Sequence, residues 1–157
     1  MRTITFIDLE INPQTHRITD AGALCDDNSH FHANNPEELI HFIAQTPYIG
    51  GHNILKHDLT YLRPYFEDAD VPVPQVIDTL YLSPLLFPSR PYHHLLKDDK
   101  LQGDDVNNPL NDSLKARELL LAELEMFNYL AEDLKKIYYH LLSETQEFNA
   151  FFQYAGY

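Results

Sequence analysis

The feature that most narrows the fold is the run Thr3-Ile4-Thr5-Phe6-Ile7-Asp8-Leu9-Glu10, in which β-branched and aromatic residues carry two acids. Residues of these types favour a pleated strand, and Ile11-Asn12-Pro13-Gln14-Thr15-His16 supplies turn chemistry after it. Successive side chains of a strand point to opposite faces, so Asp8 and Glu10 share one face and Ile7 and Leu9 the other. The two acids then sit about 7 Å apart at the strand end, where they repel unless a positive group lies between them. A D-x-E pair is also what a water-facing strand end carries, so its meaning depends on the rest of the chain.

A chain of 157 residues has the length of one domain, enough to bury roughly 68–70% of its unfolded surface. Its single cysteine, Cys25, excludes an internal disulfide framework and a Cys-based zinc knuckle, and suits a reducing compartment. No signal-type apolar region and no apolar run long enough to span a bilayer occurs, so the chain reads as soluble, cytoplasmic and without a membrane partner. The net charge of −13 argues against a broad phosphate-neutralising surface. It leaves open a nucleic-acid enzyme whose carboxylates hold divalent cations, plain solubility, or a basic protein partner.

Arg17–Leu24 reads as a second strand that closes a hairpin over residues 3–24, and His30–Ala33 as a third. Asn35-Pro36-Glu37-Glu38 has the N-cap, N1 proline and first-turn acids of a helix start, and that helix ends before Pro47. Tyr48–Asn53 is a short strand whose Gly50-Gly51 pair implies close backbone approach. Ile54–Phe66 shows helical spacing with Asp58 on its first turns. Val76–Leu86 reads as strand then helix, His93–Leu101 as a short helix and Gln102–Asn107 as a polar loop. Asn107-Asn108-Pro109 repeats the helix-start chemistry. From Leu120 to Leu141 an apolar stripe recurs at spacings of four and three, which fits two helices folding back or a stripe awaiting a partner.

D-x-E on the first strand, Gly51-His52-Asn53 with Asp58 after it, Ile77-Asp78-Thr79-Leu80, and Asp112 near the start of a late helix together resemble the DEDD superfamily of 3′–5′ exonucleases. Proofreading subunits of bacterial replicative polymerases belong to it. The resemblance covers about residues 3–125. It implies an α/β, ribonuclease-H-like fold: a mixed five-stranded sheet with helices on both faces, here followed by a C-terminal helical extension. The expected division is an exonuclease domain over 1–125 and an extension over 126–157 that packs on it or leads to a further domain.

The resemblance also implies two divalent cations, Mg²⁺ or Mn²⁺, with Asp8 bridging both, Glu10 and Asp112 on the water-activating ion, and Asp58 acting on the second mostly through waters. Hard cations take oxygen ligands, and two of them about 3.5–4 Å apart activate a water and neutralise a departing 3′ oxygen. Read from the residues alone, Asp58 and Asp112 are acids that favour helix N-termini, Asp78 is a cap or structural acceptor, and His52 and Asn53 tie down backbone.

The superfamily carries a His five residues, or a Tyr four residues, before the last Asp; here those positions are Asn107 and Asn108. An amide cannot act as general base near neutrality. His93 and His94 are the substitutes in sequence reach, and His94 is taken as the candidate catalytic base. Ile11 also stands where the superfamily usually has a hydroxyl residue.

The expected function is a metal-dependent exonuclease acting on single-stranded nucleic-acid 3′ ends, DNA ahead of RNA. The alternative is a catalytically weakened module that binds 3′ ends or protein partners. Exonuclease domains of this resemblance are often fused to helicases or polymerases, and the uncapped aromatic C-terminus fits a domain cut from a longer chain.

Overall fold

The structure is a computed structural model and describes residues 2–93 and 108–157. His94, Asn107, most of the short helix expected from His93, and the polar loop after it lie outside the described residues. Five strands form one mixed sheet in the order β3-β2-β1-β4-β5. They are β1 (Ile4–Ile11), β2 (Ile18–Cys25), β3 (His30–Ala33), β4 (Tyr48–Gly51) and β5 (Gln75–Asp78). The first three pair antiparallel, while β4 and β5 run parallel to β1. The order and the helices on both faces make this a ribonuclease-H-like α/β fold.

Strand alternation divides the core as the sequence requires. Ile7 and Leu9 of β1, with Ala21, Ala23 and Ile49, pack against α1 (Pro36–Ile43) and α2 (Asp58–Asp68). Ile4 and Phe6 point the other way, with Ile77, onto α3 (Thr79–Leu86), α4 (Pro109–Tyr129) and α6 (Asn149–Tyr154). Burial of each such side chain contributes about 1.5–3 kcal/mol relative to leaving it exposed. The Gly pair in β4 has the expected reason: a β-carbon on Gly51 would lie 3.0 Å from the Ile7 carbonyl oxygen.

The caps follow the sequence closely. Asn35 accepts from the Glu38 N–H at 3.1 Å with Pro36 in the first turn, and Asn108 accepts from the Leu110 N–H at 2.9 Å ahead of Pro109. The segment from Ile54 departs from its reading. Residues 52–57 form turns, with Asn53 in the left-handed region at φ 63°, and the helix starts only at Asp58. The long apolar stripe is broken by extended backbone at Leu130 and Ala131, which separates α4 from α5 (Glu132–Leu142). The α4 part buries Leu120 and Phe127, whereas no residue of α5 is fully buried. Phe127 sits edge-on to Phe151, Phe152 and Tyr157, so residues beyond 125 contribute directly to the second core. No helix among the described residues is long and apolar enough to cross a membrane.

Candidate metal centre

Asp8 and Glu10 lie on the β1 face that receives α4, at the end of the sheet where the parallel strands finish. Asp8 is paired in register with Gly22 of β2, and there the chain admits no side chain. A β-carbon on Gly22 would stand 2.5 Å from the Leu110 nitrogen and 2.5 Å from the Pro109 carbonyl carbon. Ser113, fully buried, fastens the contact: its Oγ donates toward the Gly22 carbonyl at 3.2 Å and the Pro109 carbonyl at 2.8 Å. The first turn of α4 is thereby pressed onto β2, and Asp112 arrives beside the strand acids.

One carboxylate oxygen from each of Asp8, Glu10 and Asp112 lies within 4.8 Å of the other two. At that separation two ionised groups repel by about 3 kcal/mol at an effective dielectric of about 20. Oxygen-only donors at this spacing suit a hard divalent cation, so the cluster could hold a metal ion.

Asp58 is not part of that group but is near enough for Asp112 to act on it electrostatically. It is 1% exposed, and burial pushes its pKa up to about 6; a hydrogen bond to His57 works against that, and the charges of Asp78 and Asp112 add to it. One oxygen meets Nδ1 of His57, while Oδ2 has no hydrogen-bond partner among the described residues. The His57 pKa is raised, first by its bond to Asp58, against burial, and further by the Asp58 and Glu10 charges. The His57 ring is thus tied to Asp58 and acted on by the Glu10 charge. Sequence reasoning passed over His57; the signal was its place next to Asp58 at a helix start.

The remaining polar residues of this end build the scaffold. Asp78 caps α3 by accepting from Leu80 N–H at 3.0 Å, and it also receives the Asn53 and Leu55 N–H groups at 2.9 and 3.1 Å. It thus orders the turn that leads into Asp58, as the cap and structural acceptor expected from sequence. His52 bonds Thr79 Oγ1 through Nδ1 at 2.8 Å and the His93 carbonyl through Nε2 at 2.7 Å. The His93 ring is itself engaged, Nδ1 to Ser83 Oγ at 2.7 Å. Asn108, one of the two amides at the expected base positions, uses its side-chain oxygen as the α4 cap.

Glu123 was also missed from sequence. It lies about three helical turns after Asp112 on the buried face of α4, and neither carboxyl oxygen has a hydrogen-bond partner among the described residues. Burial raises its pKa to about 9, the Asp78 charge adds to this, and Arg90 opposes it, so the group is protonated at neutral pH. It lies about 16 Å further along the α4 axis than Asp112.

No protein-family model matches the chain, and no curated protein matches its sequence. Among solved structures, the chain is similar to the family B DNA polymerase from the hyperthermophilic archaeon Pyrobaculum calidifontis, at 12% identity and a TM-score of 0.48. The match covers 79% of this chain and 24% of the polymerase, so the chain spans about a quarter of that protein's length.

Proposed function

We propose that this chain is a metal-dependent 3′–5′ exonuclease that removes nucleotides from single-stranded 3′ ends, with DNA favoured over RNA. The observation that carries the reading is the convergence of Asp8, Glu10 and Asp112, from β1 and α4, within 4.8 Å. Mutually repelling carboxylates held this close by a glycine contact and a buried serine make physical sense around a cation. The unpartnered Oδ2 of buried Asp58 fits the same account, as a donor to a second ion.

Asp8, Glu10 and Asp112 would hold one Mg²⁺ or Mn²⁺, and Asp58 would act on the other. When bound, the two ions would supply an activated water and charge neutralisation at the leaving 3′ oxygen. Around them, Ser113 and Gly22 hold the α4 acid in place, and Asp78 holds the turn ahead of Asp58. For the proton of the attacking water, His57 is the described histidine coupled to both Glu10 and Asp58, and His94 remains the candidate expected from sequence. The reading includes a domain boundary near residue 125, association with or fusion to a helicase or polymerase, and a cytoplasmic setting.

A second reading, a 3′-end-binding module with weakened turnover, is favoured by the use of Asn108 as a helix cap, where a base is expected. General-base assistance is typically worth 10²–10⁴-fold, so its loss would slow the reaction without removing the binding site. End-labelled single strands decide between them. Stepwise 3′ shortening that requires Mn²⁺ and disappears in Asp8→Ala supports the nuclease; metal-dependent binding with no shortening supports the module.

A further inference from the structure

Directly opposite Glu10, in register on β2, stands a further acid, Asp20. We propose that Asp20, held by His32 of β3, is a positioning residue for Glu10: its fixed charge turns the Glu10 carboxylate toward Asp8 and Asp112 and so strengthens the hold of the centre on its cation. The inference rests on the metal-dependent exonuclease reading and adds to it a pair of residues outside the expected ligand set.

The strand registers place the pair. Residues directly opposite in an antiparallel ladder share a face. Asp8, Gly22 and His32 are in register across β1, β2 and β3, and Glu10 and Asp20 form the next row. Asp20 and His32 therefore lie on the face that carries the candidate centre. Asp20 is outside the group of three acids whose oxygens lie within 4.8 Å of one another. It borders that group through Glu10.

The local bonds hold Asp20 still and hold the Glu10 backbone against it. Asp20 Oδ2 accepts from Nε2 of His32 at 2.8 Å, and its Oδ1 accepts from the Ala21 N–H at 3.0 Å. The register shifts just after Glu10, where Ile11 pairs with Ile18 and Thr19 is left as an extra residue. Bulges of this kind re-aim side chains. Here Thr19 Oγ1 donates to the Glu10 carbonyl at 3.1 Å, which ties the bulge to the backbone of the acid it faces.

The energetics give the arrangement a use. Like charges directly opposite destabilise a strand pair, and a cation held on the same face reverses that effect. Asp20 is short and bonded at both oxygens, whereas Glu10 is longer and has more rotamers. A fixed charge on the β2 side narrows the directions open to Glu10, and the group of three needs it turned toward Asp8 and Asp112. Outer partners that orient a ligating carboxylate are typically worth roughly 10–100-fold in metal affinity. The Asp20 and His32 side chains are 35% and 39% exposed, so both can be replaced without opening the core.

The test titrates Mn²⁺ into the whole chain at pH 8, with free Mn²⁺ read by electron paramagnetic resonance and melting temperatures taken in EDTA. Asp20→Asn should raise the Mn²⁺ Kd about tenfold without lowering the EDTA melting temperature. His32→Ala should raise Kd as well, and His32→Gln, which keeps an N–H donor in place of Nε2, should restore most of the affinity. Asp133→Asn removes the same charge from the exposed start of α5 and should leave Kd unchanged. In a Glu10→Gln background, Asp20→Asn should add no further loss. An unchanged Kd in Asp20→Asn, with binding abolished in Asp8→Ala, overturns the positioning role and leaves the centre standing. An equal loss in Asp133→Asn, or the full loss repeated in Glu10→Gln, overturns it in favour of net charge. Asp20-dependent Mn²⁺ binding with no shortening of an end-labelled strand overturns the nuclease and keeps the positioning role. Absence of Mn²⁺ binding by the wild type overturns both.

Discussion

Gly22 of β2 lies directly against the backbone of Pro109, so close that a β-carbon would stand 2.5 Å from its carbonyl carbon. Because the obstacle is backbone, no side-chain rotation can relieve it. Gly22→Ala should therefore push the start of α4 off the sheet, at a cost of about 1–3 kcal/mol of stability. It should also withdraw Asp112 from Asp8 and Glu10, so the stabilisation by Mn²⁺ should fall along with the melting temperature. Unchanged Mn²⁺ stabilisation in a folded Gly22→Ala protein would show that Asp112 is not a ligand.

The acid cluster gives metal binding a definite pH dependence. Asp58 has a folded pKa raised to about 6, so its contribution to metal-free stability is fully present below 3.8 and is lost as pH rises through about 6. His57 is raised as well; its contribution is complete below its ordinary 6.5 and is lost as pH climbs through the higher folded value. The metal-free protein is thus favoured on the acid side, whereas cation binding needs ionised carboxylates. At a concentration of 100 times Kd a cation adds about 2.7 kcal/mol, or roughly 5–10 °C in Tm for a chain of this size. Scanning fluorimetry should show a larger Mn²⁺ shift at pH 8 than at pH 5, and none in Asp8→Ala. Equal shifts at both pH values would remove the carboxylates from the binding account.

Glu123 predicts an alkaline weakness independent of the site. Its folded pKa of about 9, against an ordinary 4.5, means that between those values the native state holds a proton the unfolded chain has released. Over that window this group lowers stability by about 1.4 kcal/mol per pH unit. Glu123→Gln keeps the shape and removes the titration, so urea denaturation of the variant should lack this part of the slope. Parallel pH profiles for variant and wild type would contradict the buried neutral acid.

Asp78 receives three backbone N–H groups, two of them from the turn before Asp58. Asp78→Ala leaves those part-buried donors without their acceptor, at up to about 1–3 kcal/mol each. A loss of about 2–4 kcal/mol is expected, with a smaller loss for Asp78→Asn, which retains a carbonyl oxygen. Equal losses for the two substitutions would point to packing instead of capping.

The strands, the two Asn-Pro helix starts and the strand-then-helix at Val76–Leu86 were legible because they depend on local chemistry: alternation, a cap and a proline. The start of α2 was not, since Asn53 takes a left-handed backbone and Asp78, distant in sequence, holds the turn that follows it. For the candidate site, the acids could be named from their spacing along a resemblance. That Gly22 gives up a side chain so that Pro109 can approach, and that the Glu10 charge reaches His57, depends on contacts between segments far apart in the chain. Glu123 was passed over although it lies three residues after Leu120 and four before Phe127, on the face that α4 buries.

Helix α4 is a single rod of 21 residues with Asp112 in its first turn and Phe127 near its last. At 1.5 Å per residue those two positions stand about 22 Å apart along one stiff axis. The aromatic packing of Phe127 against Phe151 and Phe152 therefore anchors the far end of the same lever whose near end aims a carboxylate at β1. The last residues of the chain, remote from the acids in sequence and in space, thereby help to set the aim of the candidate centre.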